Sequence, residues 1–136
     1  MEKIPRIGVS VIIKRENKIL LSKRLGSHGA GEWSFPGGHL EFNEKIFECA
    51  EREIMEETGL EIKNLSIVKT LTEDFFEKED KHYITLYVSA DYTSGEAKIM
   101  EPNKCTEWGW FTWEKLPEPI FLTIKNLKAQ NFDPFK

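Results

Sequence analysis

Glu53, Glu56 and Glu57 stand at i, i+3 and i+4 in a run that holds neither proline nor glycine, so on a helix their carboxylates gather on one face. Like charges at that spacing repel by a few tenths of a kcal/mol per pair, which calls for a compensating partner. Mg²⁺ is such a partner: it prefers oxygen ligands in octahedral geometry and commonly takes one or two carboxylates, with phosphate oxygens and water completing the shell. Taken alone, the helix reads more readily as a solvated acidic face. The whole-chain balance of 19 Lys and Arg against 23 Asp and Glu, net -4, opposes binding to a nucleic-acid polymer and gives no long-range pull on an anion. A phosphorylated ligand would have to be held locally, and a bound divalent cation is usually the largest charge in an acidic site.

The elements that must position these carboxylates follow from punctuation and periodicity. Asn43 is placed to cap a helix beginning at Glu44, and Gly59 to end it in a left-handed turn. Phe47, Ala50 and Ile54 form its apolar stripe, a quarter turn from the acidic face. Upstream, Gly8–Ile13 and Ile19–Leu21 flank a polar turn and predict a β-hairpin. Three glycines between Gly26 and Gly31 predict a loop, and Pro36-Gly37-Gly38 a sharp turn just before the helix. Leu60–Leu71 and Tyr83–Tyr92 have strand character, with the charged run Glu73–Lys81 as their connection. A last strand over Glu107–Trp113 and, after Pro117 and Pro119, an amphipathic helix bearing Phe121, Ile124 and Leu127 complete the chain. This order predicts an α+β protein in one domain, residues 1–136, with a mixed sheet sandwiched between helices.

The chain's 136 residues, 40% of them apolar, suffice for one core. Cys49 and Cys105 have no CxxC spacing and read as reduced thiols, not as a disulfide or a zinc site. The N-terminal apolar stretch is broken by Lys14 and Arg15 and is too short for a secretory segment or a membrane span, so the expectation is a cytoplasmic protein without a membrane partner.

From Gly38 to Leu60 the spacing Gly38, Glu44, Arg52-Glu53-Ile54, Glu56-Glu57, Gly59-Leu60 resembles the Nudix box, G-x5-E-x7-R-E-U-x-E-E-x-G-U with U bulky and apolar, and departs from it at none of its nine specified positions. The resemblance implies the Nudix fold and Mg²⁺-dependent hydrolysis of a diphosphate linkage, with Mn²⁺ able to substitute. It implies that Glu53, Glu56 and Glu57 bind the metal together with the backbone at Gly38, that Glu53 activates water, that Arg52 orients Glu53, and that Glu44 supports Arg52. Leu40, Phe42, Phe47 and Ala50 are expected to pack. The surrounding segments, including Lys23-Arg24 with Gly26-Ser27, Trp108-Gly109-Trp110 and the terminal Asp133-Pro134-Phe135-Lys136, resemble the MutT-like nucleoside-triphosphate diphosphatases, among them those acting on thiopurine nucleotides. That implies a small nucleotide substrate split to a monophosphate and pyrophosphate, a role in nucleotide-pool sanitation, and a homodimer.

Beyond the box, the residues leave alternatives open. Glu101 falls where MutT-like enzymes place another carboxylate, as ligand or alternate base, but reads equally as a loop glutamate. Arg24 is of the type that pairs with phosphate, or is a surface arginine at a strand end. His39 resembles a histidine that approaches substrate phosphate. Phe121 and Leu122 match positions lining a base pocket, although their helical spacing also suits core packing. The four tryptophans read as core. A different substrate joined through a nucleoside diphosphate, or a nucleotide-binding module without turnover, are the competing readings, the latter disfavoured because no metal carboxylate is missing.

Overall fold

The computed structural model describes residues 3–26 and 28–136, so Ser27 of the glycine-rich segment lies outside the described residues. Strands β1 (Arg6–Arg15), β2 (Lys18–Arg24), β3 (Trp33–Ser34) and β4 (Gly37–His39) lead into helix α1 (Ile46–Thr58). Then come β5 (Ile62–Ile67), β6 (Thr72–Phe76), β7 (Lys81–Tyr92), β8 (Cys105–Thr112), a 3₁₀ turn over Trp113–Lys115 and helix α2 (Leu122–Ala129). The sheet runs β3-β2-β1-β7-β5, with β4 also on β1, β6 on β7 and β8 on β2. β1 and β7 pair in parallel and the other strand pairs are antiparallel among the described residues, so the sheet is mixed as expected.

Alternation along β1 sends side chains to two cores. Val9, Val11 and Ile13 meet Cys49, Ala50 and Ile54 of α1. On the other face Ile12, with Ile19, Leu21 and Tyr87, meets Ile124 and Leu127 of α2. A sheet buried on both faces by helices is the α/β/α arrangement the element order predicted. Among the described residues no helix is long and apolar enough to cross a membrane.

Three local expectations need correction. Helix α1 starts at Ile46, not Glu44, because Asn43 takes a left-handed φ of 67° and Glu44 N–H closes a turn onto Glu41 O. Glu44 is thereby held ahead of the helix, where its carboxylate faces Arg52. Phe42 is 94% exposed and Phe47 38%, so neither packs; Leu40 and Ala50 do. The charged run after Leu71 is not a loop, since Thr72–Phe76 forms a strand paired with β7 and only residues 77–80 connect them. Its inward residues are the polar Thr72 and Asp74, which hides the period-2 signal that apolar residues would have displayed. Of the tryptophans, Trp33 and Trp113 are buried, whereas Trp108 and Trp110 are half-buried against the α1 core.

Candidate active site

β1 carries two antiparallel neighbours on one edge: β4 opposite Gly8–Ser10 and β2 opposite Lys14–Arg15. Between them Val11 N–H donates to Pro36 O at 2.8 Å, so the chain crosses the sheet at Pro36-Gly37-Gly38 and reaches the N-terminal side of α1. A cleft of about 590 Å³ opens there. It is lined by the carboxylates Glu41, Glu53, Glu57 and Glu101 and by Arg24, His28, Phe76, Tyr83 and Phe121.

Arg52 organises the glutamates around it. Its Nε and one terminal nitrogen donate to the two oxygens of Glu44 at 2.6 and 2.9 Å, and the other terminal nitrogen donates to Glu53 Oε1 at 2.6 Å and to Glu56 Oε1 at 3.3 Å. A bidentate guanidinium–carboxylate pair fixes direction as well as distance. These bonds hold the Glu44 carboxyl down to about 2, so the pair stays charged until well below neutral pH. The Glu53 carboxylate lies directly against Gly38, where an added Cβ would overlap it. Gly37 N–H donates to Glu57 Oε1 at 3.3 Å.

Glu57 is pushed well above the usual carboxylate range, first by burial and then by the neighbouring charges of Glu53 and Glu101. A desolvated carboxyl with other carboxylates beside it is an oxygen donor set that a hard divalent cation would relieve, so Glu57, with Glu53 and Glu101 lining the same cleft, fits such an ion. Glu56 stands apart. Its side chain is 48% exposed, turned toward Arg52, and absent from the cleft lining, so the three box glutamates do not converge as their helical spacing suggested. Among the described residues no group of three or more carboxylate, imidazole or thiol side chains is drawn together at metal-binding distances.

Glu101, in the loop before β8, lines the cleft with Lys104 Nζ 3.6 Å from its carboxylate. Glu101→Ala is expected to lower kcat by about tenfold and raise the Mg²⁺ concentration needed for half-maximal rate, since it would remove one oxygen donor from a divalent ion bound in the cleft. A titration of rate against Mg²⁺ checks this, and identical curves would leave Glu101 no part in metal binding.

Arg24 is not a surface arginine. Its Nε donates to His28 O at 2.9 Å, its guanidinium carbon sits 4.1 Å from the centre of the Phe121 ring, and burial lowers its pKa from the ordinary arginine value. Phe121 is buried at the start of α2 and stacks on Phe76 at 5.2 Å, with His28 at 5.3 Å. The glycine-rich loop needs its glycines here, because a Cβ on Gly29, at φ 71°, would lie 2.6 Å from the Phe121 ring. His39 Nε2 and Tyr83 Oη are 3.1 Å apart at the cleft edge, and partial burial, then Arg6, lowers the histidine's pKa. Leu122 is half-buried but does not line the cleft; Thr123 does. His28, Phe76, Tyr83 and Lys81 also line the cleft. Phe76 and Lys81 belong to a charged stretch without apolar alternation, and Tyr83 carries only the alternation of a strand.

A model of the NUDIX domain matches residues 4–130. The chain belongs to the NUDIX family. It is 34% identical over 124 residues to an ADP-ribose pyrophosphatase of Methanocaldococcus jannaschii, covering 91% of this chain and 72% of that protein. It is 31% identical over 115 residues to the NAD-capped RNA hydrolase NudC of Salmonella heidelberg, covering 83% of this chain and 42% of that one; it thus spans less than half of NudC. A crystal structure of a MutT NUDIX hydrolase from Burkholderia pseudomallei superposes with a TM-score of 0.84 at 30% identity, over 93% of this chain and 98% of that one. The NUDIX match takes in every residue of the Arg52 cluster and of the cleft lining.

Proposed function

We propose that this NUDIX domain hydrolyses the diphosphate linkage of a nucleoside diphosphate joined to a second group, with ADP-ribose as the representative substrate, and that Mg²⁺, or Mn²⁺ in its place, is the required cofactor. The observation that carries this is one cleft lined both by half-buried carboxylates and by stacked aromatic rings with a guanidinium. Its volume of about 590 Å³ is in the range of small-ligand sites. The likeness to an ADP-ribose pyrophosphatase supports the choice of substrate class.

In this reading Glu53, Glu57 and Glu101 hold the cation, with the Gly38 backbone beside them, and Glu56, turned toward Arg52, would join only by changing rotamer. The ion would neutralise the diphosphate oxygens and lower the pKa of a nearby water. Arg52 occupies Glu53 Oε1, so Oε2 is the oxygen left to take the proton of the attacking water. Glu44 keeps Arg52 from swinging away. Arg24 and His39 pair with phosphate oxygens. Phe121, Phe76 and His28 offer faces on which a base stacks.

A nucleoside triphosphate cut to monophosphate and pyrophosphate is the second reading, favoured by Lys81 and Lys104, which join Arg24 on the cleft and suit a longer phosphate chain. The discriminating experiment supplies ADP-ribose and a panel of ordinary and oxidised nucleoside triphosphates, with Mg²⁺ and with EDTA, and identifies products. AMP plus ribose 5-phosphate, lost in EDTA, is expected to appear with at least tenfold higher kcat/KM than pyrophosphate release from any triphosphate. The reverse ranking would install the triphosphate reading, and no turnover of either class would leave a binding module.

A further inference from the structure

Beneath the aromatic wall lies a buried polar network that the proposed chemistry does not use. Asp74 on β6 is fully buried and accepts three hydrogen bonds: from Thr72 Oγ1 at 3.0 Å and Thr85 Oγ1 at 2.5 Å, both on Oδ2, and from Asn126 Nδ2 of α2 at 2.8 Å on Oδ1. Tyr87 Oη lies 2.7 Å from Thr72 Oγ1 and 3.4 Å from Thr123 O. Thr85 and Thr123 both line the cleft.

The hydrogen bonds that Asp74 accepts set the direction of the hydroxyl protons around it. A hydroxyl has one proton and two lone pairs, and a carboxylate only accepts. Thr72 and Thr85 each give their proton to Asp74, so Tyr87 must give its own to Thr72. The Thr85 hydroxyl therefore has only acceptor capacity left. Gly8, directly across from it in register, keeps the space beside it open, since a Cβ there would sit 3.6 Å from Thr85 Oγ1.

We infer that Thr85 is a specificity-determining residue, a fixed hydrogen-bond acceptor in the floor of the cleft that reads an amino group on the ligand's base, and that Asp74 is the positioning residue that sets its polarity. The ligand class is a nucleoside diphosphate whose base carries an exocyclic amino group, as adenine does. A base with a carbonyl at that place, as in hypoxanthine, brings an acceptor against an acceptor. The inference rests on the cleft being a nucleoside-diphosphate site.

Polarity makes the idea testable in both directions. In Asp74→Asn an amide nitrogen can face Thr72 and Thr85 while the amide oxygen still accepts from Asn126. Thr72 then donates to Tyr87, Tyr87 to Thr123 O, and Thr85 is free to donate to the ligand. The network remains satisfied but Thr85 is reversed.

Binding of ADP and of inosine diphosphate is measured by calorimetry, and KM and kcat with ADP-ribose and its hypoxanthine counterpart. The wild type is expected to favour the amino-bearing ligand by about tenfold, the discrimination of one buried hydrogen bond. Asp74→Asn should invert that ratio through KM with little change in kcat, Thr85→Val should bring it near unity, and Thr85→Ser should restore it. A merely structural Asp74 would lower stability and leave the ratio alone. Should Asp74→Asn not fold, the Thr85 pair decides. An unchanged ratio in Thr85→Val overturns the inference while leaving the hydrolase reading intact, whereas failure of the wild type both to bind either diphosphate and to cleave either substrate overturns both.

Discussion

Glu53→Gln is expected to fold as the wild type does and to lose about 10²- to 10⁴-fold in kcat at saturating Mg²⁺, the usual contribution of a positioned general base. The side chain is 15% exposed, fixed on one oxygen by Arg52 at 2.6 Å and flanked by the Gly38 backbone. Glutamine has the same shape and can keep its carbonyl oxygen on Arg52, so packing is preserved. What is lost is the negative charge that faces Glu57 and the oxygen able to accept a proton. Glu56→Gln removes the same charge from a side chain that is 48% exposed and outside the cleft, and is expected to cost only about tenfold, with most of the loss recovered as Mg²⁺ is raised. Steady-state kinetics against Mg²⁺ for the two variants, with thermal melts as the folding control, separates them. Equal losses would restore the symmetric three-glutamate site that the helical spacing suggested, and full activity in both would take the acidic helix out of the reaction.

That ranking of Glu53 over Glu56 is a property of tertiary structure. The helical face, the Gly59 stop and the covered mixed sheet all follow from spacing and punctuation, which operate within a few residues. The interactions that distinguish the glutamates do not. Arg52 draws Glu53 and Glu56 toward itself and holds Glu44 in front of the helix, and this moved the start of α1 past the residue that composition marked as a cap. The aromatic wall was less legible for another reason. Phe76, Tyr83, His28 and Phe121 come from three distant segments, and the strand bearing Phe76 turns Thr72 and Asp74 inward, so its burial depends on hydrogen bonds that no apolar alternation announces. Phe121, whose spacing suits core packing and pocket lining alike, is buried and presents its ring to Arg24 and to the cleft.

The two neighbouring glycines of the turn should fail in different ways when each is replaced by alanine. At Gly37 a Cβ would overlap Val9 O and approach Ser10 Cα at 2.9 Å, both backbone atoms of the central strand. Neither can move without displacing β1 from β7 across nine paired positions, so Gly37→Ala is expected to destabilise the fold by about 3 kcal/mol, the upper range for overpacking a tight interior. At Gly38 the obstacle is the end of a flexible side chain, the Glu53 carboxylate, and not backbone. Glu53 can yield by changing rotamer, which costs little stability but withdraws its carboxylate from Arg52 and from the cleft. Gly38→Ala is thus expected to melt close to the wild type while losing on the order of 10²-fold in kcat, as displacements of about 1 Å at a reacting group do. Chemical denaturation and steady-state kinetics on the pair give the test. A stable, active Gly38→Ala enzyme would mean that Glu53 works from a position other than the one it holds against Gly38. An unstable one would mean that the carboxylate is anchored too firmly by Arg52 to step aside, making the Glu44–Arg52–Glu53 bridge a structural element of the fold as well as the frame of its chemistry.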